Sequence, residues 1–207
     1  MKNKFYIGLL LLLAAAPAMA EGMYVVGAVG ATNLKVNKGD VDAVLVSAGA
    51  TGVNSTADKS DTGYKLQLGY KLNNNWAVEG GYFDLGKYTY QATYTGGAAT
   101  MSAKARGVNL DVVGSASVTD SVTVFARLGI AHARVKVDVA ATGPGGSASG
   151  SPSSTKARPH YGVGATYNFN RQMGVRFELE EYNKIGNENS TGRGSVDMIS
   201  VGLVAAF

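Results

Sequence analysis

The sequence predicts an all-β chain that closes on itself as an eight-stranded antiparallel up-and-down barrel. Three observations predict it. From Met23 onward apolar and polar residues alternate with a period of two, eight segments carry that alternation, and the connections between them are short and long by turns. The alternation is plainest from Tyr64 to Leu72, where one face reads Tyr, Leu, Leu, Tyr, Leu and the other Lys, Gln, Gly, Lys. A helix would scatter those residues around its axis, whereas a strand sorts them onto two faces. Val122–Ile130 and Val175–Glu180 repeat the pattern, the second with charges on one face.

Taken in order, the strands are expected at about 23–33, 63–72, 76–86, 104–117, 121–134, 159–169, 173–183 and 195–207. The first is the least patterned, because Tyr24 to Ala31 is apolar on both faces. Strands two and three are joined by Asn73-Asn74-Asn75, four and five by a turn around Thr119-Asp120, and six and seven by Asn170-Arg171-Gln172. Such Asn- and Asp-rich pieces make tight turns, because their side chains bond the nearby backbone. The remaining connections, 34–62, 87–103, 135–158 and 184–194, read as long polar loops. The third contains the run from Gly143 to Pro152, rich in Gly and Ser, which is expected to be mobile.

Strands of about ten residues have the length that a tilted strand needs to cross a hydrocarbon layer. The chain also opens as a secretory signal: Lys2 and Lys4, an apolar run from Phe5 to Ala16, then Ala18-Met19-Ala20 before Glu21. Residues 1–20 are therefore expected to be removed and 21–207 to form one barrel domain. No run offers the roughly 18 consecutive apolar residues of a membrane helix. Cysteine is absent, which excludes disulfides, thiolate metal ligands and an N-terminal lipid on cysteine. The formal charge of +4 includes Lys2 and Lys4, so cleavage leaves a nearly neutral chain and no case for nucleic acid.

In lipid a sheet must close so that no backbone group is left unpaired. Eight strands enclose an interior that side chains fill, with the polar faces meeting one another. By parity the inward set contains the cations Lys65, Lys71, Arg127 and Arg176 and the anions Glu79, Asp111, Glu178 and Glu180. Four against four is the balance that a charge-paired interior requires, since an unpaired buried charge costs several kcal/mol. Glu79, Arg127, Arg176 and Glu178 are expected at its centre. Outward aromatics should gather near the strand ends: Tyr24, Tyr70, Trp76, Tyr167 and Phe169 at the short-turn rim, and Tyr64, Tyr82 and Tyr161 towards the other.

The stretch Trp76–Gly86, the run Ala126-Arg127-Leu128-Gly129, and Val175-Arg176-Phe177-Glu178 leading to Asn183-Lys184-Ile185-Gly186 resemble the transmembrane domain of the OmpA-like outer membrane proteins. The end, Ser200 to Phe207, looks like the signal read by the outer membrane assembly machinery, with Phe207 last and Gly202 five positions earlier. The resemblance implies a Gram-negative outer membrane location. It further implies an interior plug built on Glu79, Arg127, Arg176 and Glu178, which in that family has been linked to gating of a small pore. Two departures follow. The sequence stops at the barrel, so anchoring to peptidoglycan is not implied, and an inward position usually basic in the family is Val113 here.

The function expected from these features is an integral, monomeric outer membrane protein that supports envelope integrity and presents surface loops to an unnamed partner. A narrow porin-like channel for small solutes is the alternative. A lipid-modifying enzyme is a weaker one: His132 and His160 read as rim residues bonded to loop or headgroup, and Glu178 and Glu180 fit an ion network better than an acid/base pair. No catalytic residue, metal ligand set or cofactor is expected. A soluble lipocalin-like barrel would turn the same faces inside out; the rim aromatics, loop lengths and Phe207 favour the membrane. Arg134, Lys136, Lys156 and Arg158 flank the third long loop and are candidate contacts for lipopolysaccharide.

Overall fold

A computed structural model describes residues 22–207; the expected signal segment, 1–20, lies outside the described residues. The elements in order are β1 (Met23–Lys35), α1 (Lys38–Ser47), β2 (Asn54–Asp58), β3 (Ser60–Lys71), β4 (Trp76–Tyr94), β5 (Gly97–Ser117), β6 (Val122–Gly143), β7 (Gly146–Gly150), β8 (Ser153–Asn168), β9 (Met173–Asn187) and β10 (Gly192–Ala206). Eight of them form the barrel, each antiparallel to its neighbour in the order β1, β3, β4, β5, β6, β8, β9, β10. The ring closes through β1 and β10, which pair from Tyr24↔Ala206 to Lys35↔Ser195. Closure removes both sheet edges, which satisfies the backbone where no water reaches it.

The strands run as their alternation predicts, and the outward face at mid-barrel is apolar. Leu66, Leu68, Val108, Leu110, Leu128, Ile130, Phe177, Leu179, Ile199 and Leu203 are all exposed there, while their chain neighbours face inward and are buried or half-buried. Tyr70, Trp76, Tyr167 and Phe169 are exposed near the short turns, and Tyr64, Tyr82 and Tyr161 lie on the outward face towards the other end. Tyr24 departs from that set. It points into the barrel and is 7% exposed, because β1 carries apolar residues on both faces and its parity could not be read from polarity.

The connections at the long end differ most from expectation. Segments 87–103 and 135–158 are largely strand: β4 and β5 meet at a turn around Thr95-Gly96, and β6 continues to Gly143. The Gly- and Ser-rich run folds back as β7, paired with β6 from Val139↔Gly150 to Gly143↔Gly146. Segment 34–62 holds α1 and β2. Asn37 caps α1 by accepting a hydrogen bond from Gly39 N at 3.0 Å, and Asp40 in the first turn suits the helix dipole. No residue of α1 is buried.

Along β6 the physical reason for these extensions is visible. Outward Leu128 and Ile130 are apolar, whereas further along the inward Val135 and Val137 are buried and the outward Arg134 and Lys136 are exposed. The strand keeps its period of two but exchanges which face is greasy. Lipid surrounds one part of it and water the other, so the two parts bury opposite faces. On β4 a bulge between Asp84 and Lys87 accompanies the same change. Gly86 takes φ 83° there, in the left-handed region that favours glycine.

Candidate functional site

The inward polar residues converge in one layer across the barrel. Lys65 and Gln67 come from β3, Glu79 from β4, Asn109 and Asp111 from β5, Arg127 from β6, His160 from β8, and Arg176, Glu178 and Glu180 from β9; all are buried. Several small residues give these side chains room. Gly81 lies beside Gln67, Gly129 beside Asp111 and Gly162 beside Glu180, positions where even a Cβ would collide.

Arg127 is the hub, near all four carboxylates. It pairs with Glu79, with Glu178 Oε1 at 2.8 Å, with Glu180 Oε1 at 3.3 Å and, more loosely, with Asp111 Oδ2 at 3.6 Å. Arg176 donates to Glu79 Oε1 at 2.6 Å and lies over the Phe125 ring, 3.8 Å from its centroid. Lys65 pairs with both Glu178 and Glu180. Tyr24 Oη donates to Glu79 Oε1 at 2.6 Å. Asn109 donates to Asp111 Oδ2 at 2.5 Å, while its amide and that of Gln67 exchange hydrogen bonds at 3.0 Å.

Two positions differ from the expected set. Lys71 is exposed at the short-turn mouth and makes no ion pair among the described residues. It has the inward parity, but it lies at the end of β3, where the wall stops and water reaches its ammonium. His160, expected at a rim, is instead fully buried in the layer. Its Nδ1 lies 2.8 Å from Asp111 Oδ1, and its Nε2 faces Glu180 Oε1 at 3.3 Å without hydrogen-bond alignment. With Lys71 outside, the three permanent cations Lys65, Arg127 and Arg176 face four carboxylates. A protonated His160 restores the balance; a neutral one would leave a net negative charge sealed in the wall. His132, by contrast, is exposed on the outward face of β6.

Apolar layers seal the ionic one on both sides. Phe83, Leu85, Tyr182 and Met198, all at 0% exposure, belong to a cluster towards the long end, with the Tyr182 ring stacked on His160. Tyr24, Val26, Ala77, Val113 and Phe125 cluster towards the short turns. Beyond the upper layer is a cavity of about 370 Å³ lined by residues including Val41, Val44, Tyr88, Tyr90, Val135 and Val137.

The other predicted residues are dispersed. Gly202 is buried against the backbone of Ala28, and Phe207 N donates to Met23 O at 2.9 Å, so both lie at the seam where β1 meets β10. Arg134 and Lys136 face outward, but Lys156 pairs with Ala133 and Arg158 with Ala131, two inward residues at 0% exposure. Paired residues share a face, so the four basic residues do not make one patch. Sequence reasoning also missed Tyr24 and Asn109 in the layer and did not connect Gln67 to it. The polar parity of Gln67 was a usable signal.

A family model for the OmpA-like transmembrane domain matches residues 19–207. Outer membrane protein A of Salmonella typhi is 33% identical over 132 residues, which are 62% of this chain and 35% of that protein. The match thus spans about a third of that relative's length. Among solved structures, Neisserial surface protein A superposes with a TM-score of 0.54 at 14% identity, covering 91% of this chain and 99% of that one. The attachment invasion locus protein Ail of Yersinia pestis gives 0.45 at 18% identity, covering 88% and 98%. The barrel is of the outer membrane kind, and the chain belongs to the OmpA-like transmembrane domain family of the Gram-negative outer membrane.

Proposed function

We propose that this barrel is a non-conducting, non-catalytic monomer that reinforces the outer membrane and offers its extracellular hairpins as a contact surface. The observation that carries the proposal is the sandwich in its interior. An ionic layer tied together by Arg127 lies between apolar layers centred on Tyr182 and on Phe125. Ions would have to break several buried pairs and cross greasy side chains on both sides, a costly path. The same carboxylates are committed to cations and are not free to act as an acid/base pair in hydrolysis. Hairpins on a rigid wall are where such scaffolds usually place recognition. Gly202 and Phe207, at the closing seam, are proposed as the mark read during assembly.

Planar-bilayer recording on the refolded chain tests the first claim. The expected trace is baseline current at all voltages, and steady single-channel steps would replace the proposal with a narrow solute channel. Gel migration with and without boiling should show two mobilities, as a folded barrel resists detergent until heated.

A further inference from the structure

We propose that the outward faces of β4, β5 and β6, just beyond the apolar band, form a binding site for the phosphate groups of the outer-leaflet glycolipid. The inference rests on the membrane placement above and adds a ligand to it. In the register, Lys87 pairs with Lys104 and Lys104 with Lys136, so three ammonium groups form one row across three strands. The next row towards the membrane reads Asp84, Arg106, Arg134. All five basic residues are exposed.

Like charges directly opposite one another on neighbouring strands are destabilising. Here three such cross-strand contacts stand together, Lys87 with Lys104, Lys104 with Lys136 and Arg106 with Arg134, with few counter-ions. Lys87, Lys104, Arg106 and Arg134 make no ion pair among the described residues, and Lys136 pairs with Asp138 at 2.8 Å. Asp84 faces Arg106 in the register but accepts the Gly86 N–H at 2.9 Å, and Asp138 also accepts from Ser151 Oγ at 2.6 Å. With Asp61, whose Oδ2 accepts the Lys87 backbone N–H at 2.5 Å, three carboxylates therefore stand against five cations. On β1 the outward Lys35 is treated otherwise, held by Glu181 at 3.0 Å and Asp197 at 2.8 Å. The repulsion on β4–β6 is thus a local feature, which an external anion would relieve.

Position selects the anion. Arg106 is two residues, about 7 Å, beyond the exposed Val108 on the same face, and Arg134 follows Ile130 and His132 along β6. Acyl chains lying on Val108, Leu110, Leu128 and Ile130 would bring their own headgroup to this height. An anchored lipid phosphate meets both the apolar strip and the guanidinium pair, whereas a free phosphate meets only the second. Arginine's planar fork suits a phosphate in two-point contact.

The test uses the full refolded barrel in detergent, titrated with phosphorylated lipid A, its dephosphorylated form and inorganic phosphate. Phosphorylated lipid A is expected to bind at least about tenfold more tightly than the dephosphorylated form. The double variant Arg106→Gln, Arg134→Gln should lose that difference, and Lys71→Gln, an exposed cation at the opposite end, should keep it. Equal affinity for both lipids, or an unchanged double variant, would overturn the site. Inorganic phosphate competing at the same concentration as the lipid would overturn the glycolipid assignment. The boiled and unboiled gel mobilities of each variant report folding separately, so a lost barrel is distinguished from a lost site, and bilayer current tests the non-conducting reading independently.

Discussion

Asp111 and His160 meet at 2.8 Å in the middle of the barrel, with Tyr182 stacked 4.3 Å from the imidazole on its far side. The pair joins β5 to β8, strands that do not touch as neighbours, across the interior. His160→Ala would leave four carboxylates facing three cations. The expected loss is about 3–5 kcal/mol of unfolding free energy, the cost of stranding a buried charge. Adding Asp111→Asn should recover much of it. Urea unfolding in lipid vesicles measures both, and a double variant no better than the single one would refute charge balance as the role of His160.

Arg127 contacts more carboxylates than any other cation in the layer. Arg127→Met is therefore expected to be the most destabilising single change there, by at least about 3 kcal/mol. Arg127→Lys should rescue only partly, because one ammonium cannot replace a planar fork that serves several partners. Ranking the same substitution at Arg127, Arg176 and Lys65 by denaturant midpoint checks the order.

Gly69 and Tyr24 are register partners, and the tyrosine ring lies where a Cβ at position 69 would be. Gly69→Val should push the ring aside and break the Tyr24–Glu79 hydrogen bond, at a cost of about 1–3 kcal/mol. Tyr24→Phe keeps the ring and loses only the hydroxyl, so its smaller effect on thermal unfolding separates packing from hydrogen bonding.

At the outer end Asp42 accepts from Ser55 Oγ and from Tyr90 Oη, both at 2.5 Å, and from Lys38 at 3.1 Å. The Ser55 and Tyr90 hydrogen bonds hold its carboxyl below the ordinary carboxylate range. A group whose acidity is raised by folding adds stability above its unfolded pKa and loses it as pH falls through the folded one. The docking of α1 on β2 and β4 should therefore loosen in acid, and Asp42→Asn should loosen it at neutral pH. Amide hydrogen exchange over Lys38–Ser47 reads this directly; protection unchanged in both cases would refute it.

The layer was legible where strands alternate cleanly. Lys65, Glu79, Arg127, Arg176, Glu178 and Glu180 follow from parity alone, since one face of each strand must meet lipid. Tyr24 was not legible, because β1 is apolar on both faces and polarity carries no parity there. The upper halves of β4 to β6 were hidden for another reason. Val135-Lys136-Val137-Asp138-Val139 alternates as strictly as any segment, but with the greasy face turned the other way, and a strand measured against bilayer thickness stops before it. His160 begins that difficult region on β8, and its partners lie on two other strands. No local pattern could announce them.

The uneven height of the wall has a consequence of its own. β6 runs nine residues past Arg134 to Gly143, about 30 Å along the strand, whereas β1 ends at Lys35 and β3 begins at Ser60. In a coat of surface sugars, the tips at Gly96 and Pro144 would stand clear as a stiff blade on one flank, with the opposite flank sunk among the saccharides. A macromolecule arriving from the medium would meet the blade first, so backbone pairing by itself would bias its direction of approach.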